Sequence, residues 1–518
     1  MYALAPCTPE QVNTRVRTQV GPAEQPQPPR VRSGGEFTDR LELLEAAVQG
    51  QNVTALSEDV RDVMRSLGMD RSVKFDSGDC AFLLTCFIFT MMMTLPGLAL
   101  FYGGLVRVQN VLSIVMQTFS IACLITVLWI AFGYSLCFSP GGNGLYGDHR
   151  NFWLLNVKMD SFHPDFPHVP EASFVLFQLS FAILTPALIC GSFADRMRLG
   201  PMLVFMALWH LLVYCPMAHS MWTKFGFLHQ LGILDFSGGN VVHVAAGFSG
   251  LVSSIVVGKR RGFGRDSFTA HNKLLSVMGA SMLWVGWLSF NSGNTTRVGP
   301  QAAQAQLNTH VGAACGSLAW MFSEWVLKRR PSVFGIISGA LAGLIAITPG
   351  AGFIDITGAV VSGAGAGALC YWTCQLKYLL SFDDALDSFG IHGPAAIWGG
   401  MMVGFFAQKE IGGTDGCFYG NCRQLALQLL GIVVSILWSS IATFIILKVV
   451  DTFMGLRVDE SAEMLGLDMV MHGEKLGASS VSNSRSGHVP GQTDWLQQEI
   501  EESLHPNRYA YVELVYVY

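Results

Sequence analysis

Long apolar stretches separated by short polar or Pro/Gly-containing loops dominate the chain from about residue 80 to residue 450. A helix needs about 20 mostly apolar residues to cross roughly 30 Å of hydrocarbon. Eleven stretches meet this criterion, so the pattern predicts an all-α polytopic membrane protein with eleven transmembrane helices. The predicted spans are residues 80–105, 111–138, 171–194, 199–222, 235–258, 274–293, 301–327, 333–349, 355–376, 388–407 and 426–450.

The composition agrees with this interpretation and excludes several classes of protein. Hydrophobic residues make up 51% of the chain and charged residues only 13%, whereas a soluble globular protein has about 25% charged residues. A net charge of -5 without a basic patch argues against a nucleic-acid partner. Gly- and Ala-rich spans, such as residues 362–368, indicate close helix packing within the bilayer.

Basic residues in the loops predict the orientation of the helices. Counting Lys and Arg on alternate sides gives twelve against six, and the richer side is expected to face the cytoplasm. We therefore predict a polar extracellular N-terminal tail (residues 1–78), a membrane domain (residues 79–450) and a cytoplasmic C-terminal tail (residues 451–518). The plasma membrane is the expected location.

The polar segments hold three further features. Residues 39–67 have helical spacing, which predicts a partly helical N-terminal tail. Asn52 begins an Asn-Val-Thr glycosylation sequon that this topology would expose. Cys417 and Cys422 lie in a predicted outer loop, where a local disulfide and two free thiols are both compatible with the sequence.

Two buried histidines are the best functional candidates, because ionisable residues inside membrane spans are costly. His243 and His392 each lie in the fifth predicted span of one half of the chain. If the first ten spans form two five-helix repeats, the odd number inverts their orientation and places the site near the midplane. The two histidines would then meet. A metal site is disfavoured because no third ligand lies at suitable spacing, whereas two imidazoles can share one proton.

Six ordered motifs resemble those of ammonium transporters of the Amt/Mep/Rh family, and the aromatic residues favour the Amt/Mep branch. They are Leu-Phe-Tyr-Gly-Gly-Leu-Val-Arg at residues 100–107, Ala-Asp-Arg-Met-Arg at 194–198, Leu-Asp-Phe-Ser-Gly-Gly at 234–239, Gly-Trp-Leu-Ser-Phe-Asn-Ser-Gly at 286–293, Asp-Ser-Phe-Gly-Ile-His-Gly at 387–393 and Gly-Leu-Arg-Val at 455–458. The resemblance runs from about residue 79 to residue 475. It implies a homotrimer with one pore per subunit, no cofactor and no enzymatic activity.

The resemblance also implies a role for individual residues, here given by their numbers in this sequence. Trp222, Phe181 and Asn294 are expected to recruit ammonium, and Asn294 replaces the more usual Ser. The expected gate consists of Phe181 and Phe290, and the expected pore relay consists of His243 and His392. Asp235, Trp287 and Thr348 are expected to support the pore. Val470 occupies the position of a regulatory Thr in plant members, so that phosphorylation switch is expected to be missing.

These roles suggest a physical mechanism. A cation over an aromatic face gains about 0.5–2 kcal/mol, but a bare ion in a low-dielectric pore costs tens of kcal/mol. We therefore expect ammonium to be deprotonated beside Asp235 and to pass the gate as ammonia, with the proton following the two histidines. Asp235 has an alternative, purely structural role at the helix start.

Three other functions are compatible with the sequence. An ammonium sensor would signal through a regulator bound to the C-terminal tail, whose last residues, 509–518, alternate as in a strand. An ammonia gas channel would carry no current. A membrane metalloenzyme would contain bound metal.

Overall fold

The computed structural model describes residues 75–266 and 268–476. The predicted helical spacing of residues 39–67, the Asn52 sequon and the strand-like pattern of residues 509–518 lie outside this part of the chain. The described residues form helices and loops, with isolated bridges but no β-strand.

Eleven long helical segments follow one another along the described chain. They are α1 (Ser77–Leu105), α2 (Val108–Phe138), α3 (Glu171–Phe193), α4 (residues 199–222), α5 (Gly239–Val257), α6 (Lys273–Ser292), α7 (Pro300–Lys328), α8 (Val333–Ile347), α9 (Ile356–Thr373), α10 (Ser388–Phe406) and α11 (Arg423–Met454). Each lies at one of the predicted spans. The bounds differ by up to four residues: the fifth helix begins at Gly239 rather than at residue 235, and the last one ends at Met454 rather than at residue 450.

Seven helical segments among the described residues are long and apolar enough to cross a membrane: Ser77–Leu105, Val108–Phe138, Glu171–Phe193, Leu199–Leu231, Gly239–Val257, Lys273–Thr295 and Arg423–Met454. The four helices α7 to α10 are outside this set. Helix α8 is apolar but has only 15 residues. All four contain many Gly and Ala residues, which allow close packing. A Cβ added to Gly363 or Gly367 of α9 would collide with the backbone of α7 at Gly312 or Gly316.

Four of the described helices contain a turn of π-helix, an irregularity that is often found at functional sites. In α2 the turn is Trp129–Gly133. In α1 the turn is Met93–Leu98 and contains Pro96, and in α4 it is His210–Tyr214. Helix α5 begins directly with such a turn, Gly239–Val244, which carries His243.

Buried charges connect the loops at one end of the bundle. Arg260 binds Asp383 at 2.8 Å and Asp195 at 3.3 Å. Arg196 donates to the backbone oxygen of Asp383 at 2.5 Å. Burial alone raises the pKa of Asp383, but hydrogen bonds from Arg260 and the positive charge of Arg196 outweigh it, so the pKa lies below its usual value. The folded protein therefore favours the ionised carboxylate.

The segment after α11 lies against the same end of the bundle. It contains two short helices, α12 (Glu460–Leu465) and α13 (Leu467–His472). Asp468 accepts hydrogen bonds from the backbone N–H groups of Leu112 and Ser113 at 3.0 and 2.7 Å, at the start of α2. Arg457 binds Glu463 at 2.7 Å.

The loop before α11 contains the two candidate outer cysteines. Cys417 and Cys422 form a disulfide in the structure. Of the two alternatives that the sequence leaves open, the structure therefore has the disulfide.

Candidate functional site

Two stacked phenylalanines lie at the centre of the bundle. Phe181 comes from α3 and Phe290 from α6, and their ring centroids are 4.0 Å apart with an angle of 20° between the planes. Both side chains are fully buried. Trp222, the last residue of α4, contacts the edge of this stack, with its ring 5.8 Å from that of Phe181. The structure therefore brings the predicted gate and the predicted aromatic recruitment residue together.

A cavity of about 250 Å³ lies beside Trp222, on one side of the stack. Aromatic residues form much of its wall, including Phe138, whose ring lies parallel to that of Trp222 at 6.5 Å. Asn294 also lines this cavity. Its amide nitrogen donates to the Ser237 hydroxyl and to the Phe290 backbone oxygen, both at 2.9 Å. These bonds fix the Asn294 side chain next to the gate, with its carbonyl oxygen as the remaining acceptor.

Asp235 lies between α4 and α5 and holds the first turn of α5. Its two carboxylate oxygens accept four backbone N–H bonds of 2.5–3.2 Å, from Gly238, Gly239, Asn240 and Val241. Its backbone oxygen accepts the indole N–H of Trp222 at 2.9 Å. The structural role predicted for Asp235 is therefore present, since this one residue positions both the vestibule Trp and the helix that carries His243.

His243 and His392 meet on the other side of the phenylalanine stack. Their Nδ1 atoms are 3.2 Å apart and their rings are nearly parallel, with centroids 5.3 Å apart. A hydrogen bond between two Nδ1 atoms requires that one carries a proton and the other does not. The pair is buried, and the Nε2 atom of His243 has no hydrogen-bond partner among the described residues. The predicted meeting of the two histidines is confirmed by this geometry.

Trp287 and Thr348 support the pair. The Trp287 ring stacks on that of His243 at 5.2 Å and 21°. Its indole N–H donates to the Thr348 hydroxyl at 2.8 Å, which in turn donates to the Leu344 backbone oxygen. Phe290 lies 6.3 Å from His243. The gate, the indole and the first histidine therefore pack against one another directly.

Asp384 is a site residue that the sequence motifs alone do not single out. It accepts backbone N–H bonds from Ser388 and Gly390, both at 3.1 Å, at the start of α10. Asp384 precedes His392 by eight residues, and Asp235 precedes His243 by the same interval. That repeated interval is the signal in the sequence that could have found it, and it identifies Asp384 as the counterpart of Asp235.

The loop between α2 and α3 is a second contributor that the sequence does not predict. It adds His163, Asp165 and Phe166 to the cavity wall. No periodicity marks these residues, because they belong to an irregular segment. Within the described residues, no group of three or more His, Cys, Asp or Glu side chains is arranged to hold a metal ion.

A second cavity of about 650 Å³ lies at the end of the bundle where the buried loop charges are found. Arg260, Lys377 and Asp387 line it, together with Ile391, the residue before His392. The stacked rings and the histidine pair therefore have a cavity at either end.

Comparisons with known proteins agree with this geometry. The model of the Ammonium Transporter Family matches residues 81–476. The chain is 43% identical over 402 residues to an ammonium transporter of Bacillus subtilis, covering 77% of this chain and 98% of the relative. It is 37% identical over 418 residues to ammonium transporter 1 of Dictyostelium discoideum, covering 80% and 90%. The crystal structure of Candida albicans Mep2 superimposes with a TM-score of 0.72 at 35% identity, covering 78% of this chain and 90% of that one. The family predicted from the motifs is therefore confirmed: this chain is an integral membrane protein that belongs to the Ammonium Transporter Family.

Proposed function

We propose that this protein transports ammonium across the membrane. One observation carries the proposal: Trp222, Phe181, Phe290, His243 and His392 form an unbroken series of ring contacts. Successive centroids are 5.8, 4.0, 6.3 and 5.3 Å apart. The series leads from the vestibule cavity to a pair of histidines and contains no fixed charge. An ammonium ion can bind at its start but has no counter-ion along its length.

Recruitment is the first proposed step. Trp222 and Phe181 offer aromatic surfaces, and Asn294 offers an amide oxygen to an N–H donor. A cation over an aromatic ring gains about 0.5–2 kcal/mol, which is much less than the cost of removing all its water in a low-dielectric interior. The vestibule therefore concentrates the ion but cannot drive it whole through the phenylalanine gate.

Deprotonation is the second proposed step. The ion gives its proton to water in the vestibule beside Asp235, and neutral ammonia passes Phe181 and Phe290 to reach His243 and His392. The ring nitrogens replace lost contacts with water, and the shared proton between them provides a separate path for the charge. Potassium ions cannot lose a proton, so the same barrier excludes them.

The architecture is also part of the proposal. We propose that α1 to α11 all cross the bilayer, with α1–α5 and α6–α10 as inverted repeats. The matching Asp–His intervals at Asp235–His243 and Asp384–His392 support this arrangement. A homotrimer with one pore per subunit is supported by the family resemblance alone.

We further propose a plasma-membrane location with the N-terminus outside and the C-terminus in the cytoplasm, as the distribution of Lys and Arg indicates. Residues 1–78, 79–450 and 451–518 then form the outer tail, the membrane domain and the inner tail. The inner tail is the proposed target of a cytoplasmic regulator, since Asp468 ties that tail to the start of α2.

The proposal is tested in a cell that lacks its own ammonium uptake, by recording ammonium-dependent current and uptake together. We expect a saturable inward current that is lost, or becomes permeable to potassium, in the His243→Ala/His392→Ala double variant. His310→Ala is the matched control, because His310 is exposed on α7 and contacts Trp284 rather than the histidine pair. Uptake without current would indicate a gas channel instead, and neither signal in well-expressed protein would indicate a sensor.

A further inference from the structure

A single carboxylate at the edge of the vestibule has no role in the steps above. Asp165 lies in the loop between α2 and α3 and lines the cavity that contains Trp222 and Asn294. The backbone N–H of Phe166 donates to the His163 oxygen at 2.9 Å, which closes a tight turn around Asp165. The rings of His163 and Phe166 pack on Phe174 of α3 at 5.2 and 4.8 Å. The turn is therefore anchored, and Asp165 has a fixed position.

The charge of Asp165 is partly compensated by a lysine that lies outside the cavity wall. The Nζ atom of Lys224 lies 2.7 Å from Oδ1 of Asp165. Lys224 comes two residues after Trp222, in the turn that ends α4. Asp165 is 26% exposed and Lys224 51% exposed, so the pair lies at the water-filled rim and its energy is modest.

The neighbouring histidine does not neutralise this carboxylate. The Nδ1 atom of His163 accepts the backbone N–H of Asp165 at 3.2 Å, and its Nε2 lies 2.9 Å from the Phe138 backbone oxygen. These two contacts require the proton on Nε2 and a neutral ring. Burial also lowers the pKa of His163.

The carboxylate of the other acidic residue in the cavity wall is already engaged by hydrogen-bond donors. Asp235 accepts four backbone N–H groups, whereas Oδ2 of Asp165 lies 4.0 Å from a neutral His163 nitrogen. His229 is the remaining titratable residue in the cavity wall, and neither Lys nor Arg belongs to that wall within the described residues. Asp165 is therefore the carboxylate in this wall that is available to a cation arriving from water.

We propose that Asp165 supplies the negative charge that concentrates ammonium at the mouth of the vestibule, and that Lys224 limits its strength by pairing with one oxygen. The inference rests on the proposed function and names a residue that sets the affinity of the transporter for ammonium. The carboxylate acts on the arriving cation through its field and lies outside the gate, so it affects binding but not passage.

The test measures ammonium-dependent current in the full-length protein at a series of ammonium concentrations. Asp165→Asn should raise the half-saturating concentration about threefold to tenfold and leave the maximal current unchanged, because a single charge at the rim of a wet cavity is worth that much. Lys224→Gln should lower the half-saturating concentration about twofold. In the Asp165→Asn background, Lys224→Gln should have a smaller effect.

Two control variants match these changes in charge. Asp160→Asn removes an exposed acid from the same loop that does not line the cavity. Arg150→Gln breaks another ion pair of the same kind, with Asp148 at 2.7 Å. We expect little change in either. Raising the concentration of an impermeant salt should reduce the difference between wild type and Asp165→Asn.

The outcomes separate this inference from the proposed function. A normal half-saturating concentration in Asp165→Asn, with wild-type current present, would overturn the role of Asp165 and leave transport intact. An equal shift in Asp160→Asn would also overturn it, since any negative charge would then suffice. Absence of saturable transport in the wild type would instead refute the proposed function.

Discussion

The contact between Gly247 of α5 and the backbone of α10 yields a sharp prediction. A Cβ atom added at Gly247 would lie 2.6 Å from the Gly393 nitrogen and 3.2 Å from the His392 carbonyl carbon. Gly247 is one helical turn from His243, and Gly393 follows His392 directly. The Gly247→Ala variant therefore pushes apart the two helices that carry the histidine pair, next to the pair itself.

The size of this effect follows from the distances. Ordinary contacts of a Cβ atom begin at 3.4 Å, so the helices must separate by about 0.8 Å in a core that is packed without voids. Added to the 3.2 Å between the two Nδ1 atoms, this displacement gives about 4.0 Å, which is too long for a hydrogen bond. The cost in folding stability is about 1–3 kcal/mol, as for other overpacked sites.

We expect Gly247→Ala to reach the membrane, to keep most of its thermal stability in detergent and to lose most ammonium-dependent current. Gly316→Ala introduces at least as large a wedge between α7 and α8, where its Cβ would collide with the Gly339 backbone oxygen and lie 2.8 Å from the Gly343 Cα. Gly200→Ala adds a Cβ with no atom closer than 4.0 Å. Wild-type current in Gly247→Ala, or equal loss in Gly316→Ala at equal expression, would refute the reasoning.

Four further predictions concern other parts of the molecule. His392→Glu should leave a conducting pore with weaker ion selectivity, seen as potassium current, because a carboxylate offers the counter-ion that the wild-type pore lacks. Trp287→Phe keeps the ring but removes the indole N–H bond to Thr348, so current should fall severalfold with little loss of stability, whereas Thr348→Val should reproduce the effect. Lowering the pH should reduce thermal stability in detergent as Asp383 becomes protonated. The pKa of Asp383 is lowered in the folded state, so its stabilisation is complete above the usual carboxyl pKa and is lost as the pH falls through the lowered value. Asp383→Asn should be less stable at neutral pH, and its stability should depend less on pH. Deleting residues 477–518 should leave uptake unchanged. By contrast, Asp468→Ala should weaken attachment of the inner tail by about 1 kcal/mol through loss of a helix cap, and proteolysis after residue 455 should become faster. Unchanged protection from proteolysis would contradict that role.

The positions of the helices could be predicted because the bilayer imposes a minimum apolar length on each segment. The Gly- and Ala-rich segments between Pro300 and Phe406 can be recognised from their small residues, although none of them combines the length and the hydropathy of the other spans. The predicted start of α5 lies four residues too early, because the apolar pattern cannot show that the carboxylate of Asp235 accepts the first N–H groups of a helix that begins only at Gly239.

The candidate site could be predicted in part. The symmetric placement of His243 and His392 in the sequence was enough to predict that they meet, and the family motifs indicated Trp287 and Thr348. The position of Asp165 in the cavity wall could not be predicted, since it depends on how an irregular loop folds. The binding of Asp468 to the start of α2 likewise joins residues more than 350 positions apart, and no local pattern encodes such a contact.

The hydrogen bond between the two Nδ1 atoms has a direction, and each proton that crosses the pair reverses it. Suppose that His243 donates: its Nε2 is then bare, and His392 carries its proton on Nε2. A proton that enters at His243 Nε2 and leaves from His392 Nε2 reverses the central bond. His243 Nε2 is now occupied, so a second proton cannot follow until the pair is reset. Trp287 stacked on His243 hinders the ring rotation that would reset it. Under the proposed mechanism, the pair therefore admits a single charge per cycle, and each new charge requires an event that restores the original tautomers.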